Sequence, residues 1–132
     1  MIERKRTSMF LAAAGVLLLS CSPEPPPAQG DFLATLPPTP AEHAPGDSLY
    51  VAHCSSCHGP KGTGTEVGPP LVHVIYEPGH HGDAAFHMAV GRGVVGHHWR
   101  FGNMAPLPHV SEPEVDAIVG YVRWLQRQAG IE

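Results

Sequence analysis

The chain is short of charge, of aromatic rings and of cysteine. Charged residues make up 15% of its 132 positions and aromatic residues 7%. So few charges exclude a disordered polyelectrolyte. Lys and Arg number 8 against 12 Asp and Glu, a net charge of −4, which argues against a nucleic-acid binder, since that work needs a basic face. No apolar run reaches the ~20 residues of a membrane-spanning helix. Clear period-2 alternation, the signal of a half-buried strand, is also missing. Three cysteines, an odd number, cannot all enter a closed disulfide framework. Abundant instead are glycine (15), proline (15) and histidine (10), within a length that allows one compact domain and a tail.

Residues 1–20 read as an export signal of the lipoprotein type. Arg4, Lys5 and Arg6 form a positive start, and Met9 to Leu19 is an apolar run of 11 residues broken only by Gly15. It ends Leu18-Leu19-Ser20-Cys21, which resembles the bacterial lipobox, in which the cysteine is acylated and becomes the first mature residue. Several acyl chains on Cys21 would anchor the protein stably, as one would not. The expected location is therefore a bacterial membrane, facing the periplasm or the cell exterior. Removing residues 1–20 takes away three basic residues and Glu3, which leaves 5 basic against 11 acidic residues, a net charge of −6.

Residues 21–45 follow as a tether. Eight of the 15 prolines lie between positions 22 and 45, which favours extended polyproline II over helix or strand. At ~3.1 Å per residue such a spacer reaches roughly 70 Å. Phe32, Leu33 and Leu36 form a small apolar group inside it, a candidate for partial docking on the domain.

The remaining 87 residues, 46–132, make a domain small enough to need help from a metal, a disulfide or a cofactor. Helical signals dominate it. Gly46 to Cys57 forms one predicted helix, with Leu49, Tyr50 and Cys54 towards one side. Asp83 caps a second through about Val90, ended by Gly91 and Gly93. Ser111-Glu112-Pro113-Glu114 reads as a capping box. The helix it opens carries Val115, Ile118, Val119, Val122 and Leu125 at helical spacing. Between the helices run long Gly/Pro-rich stretches, of the kind that wrap something.

The chemistry-bearing motif is Cys54-Ser55-Ser56-Cys57-His58. The pattern C-x-x-C-H is the signature for covalent haem attachment. On a helix, positions i and i+3 share a face, so both thiols reach the two haem vinyl groups. His58 then presents its imidazole to the iron. Three other readings compete. A zinc knuckle needs two further ligands, and there is no second C-x-x-C. A thioredoxin-like dithiol needs a preceding strand. A plain disulfide between Cys54 and Cys57 needs only export. Haem attachment accounts for every cysteine: Cys21 to lipid, Cys54 and Cys57 to haem.

Gly46-x-x-x-Tyr50-x-x-x-Cys54-x-x-Cys57-His58-Gly59, then Gly62-x-Gly64-x-x-x-Gly68-Pro69-x-Leu71, and finally Ile118-Val119-Gly120-Tyr121-Val122-x-x-Leu125, resemble a class I monohaem c-type cytochrome over about residues 46–127. The resemblance implies an all-α fold, a small cytochrome c domain of about 3–4 helices with long loops wrapped around one haem c. It implies that the carbonyl of Pro69 accepts a hydrogen bond from His58, and that Gly46 and Tyr50 cross the last helix near Gly120 and Tyr121. It also implies a methionine as sixth iron ligand. Met104, in Gly102-Asn103-Met104-Ala105-Pro106, fits, although Ala105 stands where the family has proline. Met88 reads as core. His97, His98 or His109 would be the alternative ligand, and an open sixth position the third possibility.

The implied function is one-electron transfer between redox partner proteins at the membrane, with no small-molecule substrate and no nucleic acid. The alternative is a haem enzyme or gas sensor with an open or displaceable sixth ligand. Arg92, Trp99 and Arg100 are candidate partners for haem propionates. The pairs His80-His81 and His97-His98 remain unassigned and open the question of a second metal.

Overall fold

The computed structural model describes residues 29–132, with side chains from Asp31 onward. Among these residues the fold is all-α. The helices are α1 (Gln29–Thr35), α2 (Ala44–His53), α3 (Ser55–His58), α4 (Asp83–Arg92) and α5 (Glu112–Gln128), joined by loops with three short 3-10 turns. There are more helices than the expected 3–4, because α1 adds one and the helix expected over Gly46–Cys57 divides in two at Cys54. The only strand-like contact among the described residues is a single antiparallel bridge between Val94 and Met104.

Helix α5 is the spine of the molecule. Ser111 caps it, with Pro113 in the first turn. The Glu114 carboxylate closes the capping box by accepting the Ser111 backbone N–H at 2.8 Å. Val115, Ile118, Val119, Val122 and Leu125 are each no more than 5% exposed. Burying one such side chain contributes roughly 1.5–3 kcal/mol, so this stripe is the chief stabilising face. A Schellman closure ends the helix: Ile131 N–H donates to Gln126 O at 2.9 Å and Gly130 N–H to Arg127 O at 3.1 Å, with Gly130 at φ 72°.

Helix α2 crosses α5 at very close range. A Cβ placed on Gly46 would lie 2.1 Å from the Ala117 carbonyl oxygen and 2.8 Å from the Tyr121 Cβ. Gly46 is therefore the residue that permits the contact. Gly120 is not part of it, since its Cβ would meet only His43 Nδ1, at 4.0 Å. One turn further along α2, the rings of Tyr50 and Tyr121 pack at 5.6 Å.

Three expectations need correction. Met88, expected in the core, is 53% exposed. Residues Gln29–Thr35 are helical rather than extended. This stretch lies between Pro27 and Pro37 and contains no proline, and Leu36 directly follows its last helical residue. Phe32 is buried in the core and Leu36 packs against it, while Leu33 stays 40% exposed. In α4 the cap is Gly82, Asp83 is the first helical residue, and the helix runs through Gly91 to end at Gly93, φ 75°. Asp83 is instead an acceptor for the buried Arg123, at 2.8 Å.

Candidate functional site

The turn at Cys54 builds the site. Cys54 leaves helical geometry at φ −120° and starts α3. Its own N–H still donates to Tyr50 O at 2.9 Å, and the His58 N–H donates to Cys54 O at 2.9 Å. The chain therefore makes one compact turn that sets Cys54, Cys57 and His58 close together. Tyr50 secures the far end, its hydroxyl donating to Gly59 O at 2.9 Å. Gly59 then reverses the chain at φ 76°, a conformation that L side chains avoid.

The reversed loop folds back on the turn. The Gly64 N–H donates to His58 O at 2.6 Å, and the Thr65 hydroxyl donates to Cys57 O at 2.6 Å. His58 Nδ1 lies 2.8 Å from the Pro69 carbonyl oxygen, the contact the resemblance implies. A carbonyl can only accept, so Nδ1 carries the proton and Nε2 keeps its lone pair. Burial lowers the pKa of His58, against a smaller opposing effect of the Pro69 bond, and favours this neutral form. The result is an oriented imidazole with a free ligating nitrogen.

Both cysteines of the motif are free thiols. Burial, with the neighbouring Cys57, pushes the Cys54 thiol up to about 11. A redox-active dithiol needs the opposite shift. Neither cysteine joins a group of metal-ligating side chains among the described residues.

Met104 lies in a lobe spanning residues 94–104. The backbones of Val94 and Met104 exchange two hydrogen bonds of 2.9 Å, and the Leu107 N–H donates to Val90 O at the end of α4, at 2.7 Å. Met104 is thus held by its backbone and is half-buried. Trp99 sits at the tip of the same lobe, and its indole Nε1 is buried without a hydrogen-bond partner. Trp99 also lines an open cleft of about 420 Å³ with Thr63, Gly64, Thr65, Pro70, His73 and Phe101. The cleft borders the Cys54–His58 turn through Gly64 and Thr65, but Cys54, Cys57, His58 and Met104 do not line it. Arg92 and Arg100 are exposed.

The cytochrome c family model matches residues 43–126, well over half of the chain. The chain belongs to the cytochrome c family. No curated protein and no solved structure matches it significantly. Members of the cytochrome c family bind haem c and act as electron carriers, and the residues present here fit that group. The turn offers two free thiols and an imidazole with an open Nε2. The buried indole N–H of Trp99 lacks an acceptor, which a haem carboxylate would supply.

Two polar residues that sequence reading missed hold the loops of this cytochrome c domain in place. Arg123 and Gln126 of α5 are both buried. Arg123 donates to Tyr76 O (2.7 Å), Gln126 Oε1 (2.6 Å) and the His81 carbonyl. Gln126 Nε2 donates to Leu71 O (2.8 Å) and Tyr76 O (3.0 Å). A signal was present: Val115, Val119, Val122 and Gln126 share one helix face, and Arg123 follows Val119 by four. Polar side chains in an apolar register call for buried partners.

Proposed function

We propose that this protein is a class I monohaem cytochrome c that carries single electrons between redox proteins at a bacterial membrane. The observation that carries the reading is the oriented His58, with Nδ1 on Pro69 and Nε2 free, one turn from two free thiols. Cys54 and Cys57 would hold the haem covalently through thioether bonds to its vinyl groups, His58 would ligate the iron through Nε2, and Met104 would supply a thioether sulfur as the second protein ligand. The bound haem supplies the Fe(III)/Fe(II) couple, and no substrate bond is made or broken. Pro69 keeps the imidazole in one tautomer and raises its basicity. A His/Met ligand pair favours a raised reduction potential. Trp99, whose buried indole N–H lacks an acceptor, would donate to a propionate.

Cys21 carries the lipid anchor, and residues beyond it lift the domain from the surface. The export signal (residues 1–20) and Cys21 lie outside the described residues, and their assignment rests on sequence. Among the described residues no helix is long and apolar enough to cross a membrane. A net charge of −6 on residues 21–132 favours partners with a basic docking patch, met at salt-dependent rates.

The test is spectroscopic. The purified protein should cycle between oxidised and reduced spectra and keep its haem through acid–acetone extraction. Replacing both Cys54 and Cys57 by Ser should release the haem under that extraction; retention would refute thioether attachment. Carbon monoxide should leave the reduced spectrum nearly unchanged and shift it strongly in Met104→Ala. A strong shift in the unaltered protein would favour a ligand-binding enzyme or sensor instead. Labelling with a radioactive fatty acid should mark the protein and fail to mark Cys21→Ser.

A further inference from the structure

Four histidines that the haem does not need converge on one surface. His80 and His81 sit in a turn closed by Glu77, whose carbonyl accepts both of their backbone N–H groups, at 3.0 and 2.8 Å. Arg123 anchors this turn from below through the His81 carbonyl. His97 and His98 come from the 94–104 lobe, stiffened where the Gly96 N–H donates to Asn103 Oδ1 at 3.0 Å. The two segments are separate loops, and the tertiary fold alone brings them together.

We propose that His80, His81 and His98 form a binding site for one divalent transition-metal ion, Zn(II) or Cu(II). Their ligating nitrogens all lie within 4.8 Å of one another. His80 Nε2 and His98 Nε2 are 3.2 Å apart. Two imidazole nitrogens at tetrahedral angles on a zinc ion, each ~2.0–2.1 Å from it, are separated by ~3.3 Å, so this pair is already at ligand spacing. His81 Nδ1 lies 2.6 Å from the Ile75 carbonyl, which accepts its proton and leaves Nε2 as the free donor. That is the outer contact metal-binding histidines usually have. His80 and His98 are exposed, so an ion reaches them from solvent and small side-chain rotations complete the site.

Donor type narrows the ion. Three imidazoles without a carboxylate or thiolate suit zinc and copper rather than magnesium or calcium. His97 stacks on His81 with ring centroids 6.0 Å apart and also bonds a backbone carbonyl through Nδ1, but it stands outside the group whose ligating nitrogens lie within 4.8 Å of one another. Three protein ligands and an open position remain. A bound ion would bridge the 75–81 segment to the lobe that carries Trp99 and Met104.

The test uses the oxidised holoprotein and Zn(II), which is redox-silent, in equilibrium dialysis with metal analysis. One zinc per chain should bind saturably. His80→Ala and His98→Ala should each weaken binding at least about tenfold, with the visible spectrum unchanged. His109→Ala, at an exposed histidine outside the cluster, should bind as the unaltered protein does. In that unaltered protein, zinc should protect His80, His81 and His98 from diethyl pyrocarbonate and leave His109 reactive. Absent saturable binding, undiminished binding in His80→Ala and His98→Ala, or protection elsewhere would each overturn the site.

Discussion

Replacing Gly46 by Ala puts the α2–α5 crossing to a direct test. The added methyl would stand 2.1 Å from Ala117 O and 2.9 Å from Ala117 C, both backbone atoms that no rotamer change can move. The helices must separate by roughly 1 Å, and overpacking of that kind costs about 1–3 kcal/mol or more. The better helix propensity of alanine returns at most about 1 kcal/mol, and less at the third residue of the helix. The net expectation is a loss of about 2 kcal/mol. For a domain of this size that lowers the melting temperature by roughly 10 °C. The shift also pulls Tyr50 away from Tyr121 and strains its bond to Gly59, directly beside the Cys54–His58 turn. Gly91→Ala is the internal control. It lies in α4, and its Cβ would meet nothing within 4 Å. It should stabilise by up to about 1 kcal/mol. Thermal melts of the two holo-variants by far-ultraviolet circular dichroism decide the matter. A Gly46→Ala protein that melts at or above the unaltered protein would refute the close-approach argument.

Arg123→Met should leave the His81 carbonyl and Gln126 Oε1 without their donor, at about 1–3 kcal/mol each, for a total near 3 kcal/mol in urea melts. Asp83→Asn disturbs only an exposed partner of the same arginine and should cost under about 1 kcal/mol; equal losses would mean that the ion pair, not the carbonyl anchoring, matters. Burial tends to raise the pKa of Asp47, but hydrogen bonds from Lys61 at 2.7 Å and Thr39 at 2.9 Å outweigh it and hold the pKa below its ordinary value. A lowered carboxyl pKa means that the unfolded chain binds the proton more readily. The stability Asp47 contributes is therefore complete above the unfolded value and lost as pH falls through the folded one. Asp47→Asn should flatten that part of the acid limb in melting curves taken across pH, and an unchanged limb would count against the assignment.

The physical logic of the domain is a division of labour on one helix. The apolar side chains of α5 form the core with Tyr50, Leu71 and Val110, and its two buried polar side chains hold the loops. Leu71, Tyr76 and His81 each give Arg123 or Gln126 a backbone carbonyl, so a loop with little secondary structure still has one defined path.

Local chemistry made part of this protein legible in its residues alone. The C-x-x-C-H pattern, the Ser111–Glu114 capping box and the five apolar positions of α5 are short-range signals. Their spacing in the chain is their spacing in space, so the helical character of the domain followed from them, whereas the contact of His58 with Pro69 was implied only by the family resemblance. Other features depend on which segments meet, and no local pattern encodes that. The helix that carries Phe32, between two proline-rich stretches, is one. The role of Gly46 rather than Gly120 at the helix crossing is another. So are the burial of Arg123 and Gln126 against carbonyls some 40 to 55 positions away, and the meeting of His80 and His81 with His98. Loop-closing contacts are set by the whole packed core, because only there do two distant backbones find themselves within hydrogen-bond reach. Composition, caps and motif determined the helices of the haem-binding domain and the Cys54-Cys57-His58 turn by themselves; tertiary packing decided which distant loops meet and what holds them there.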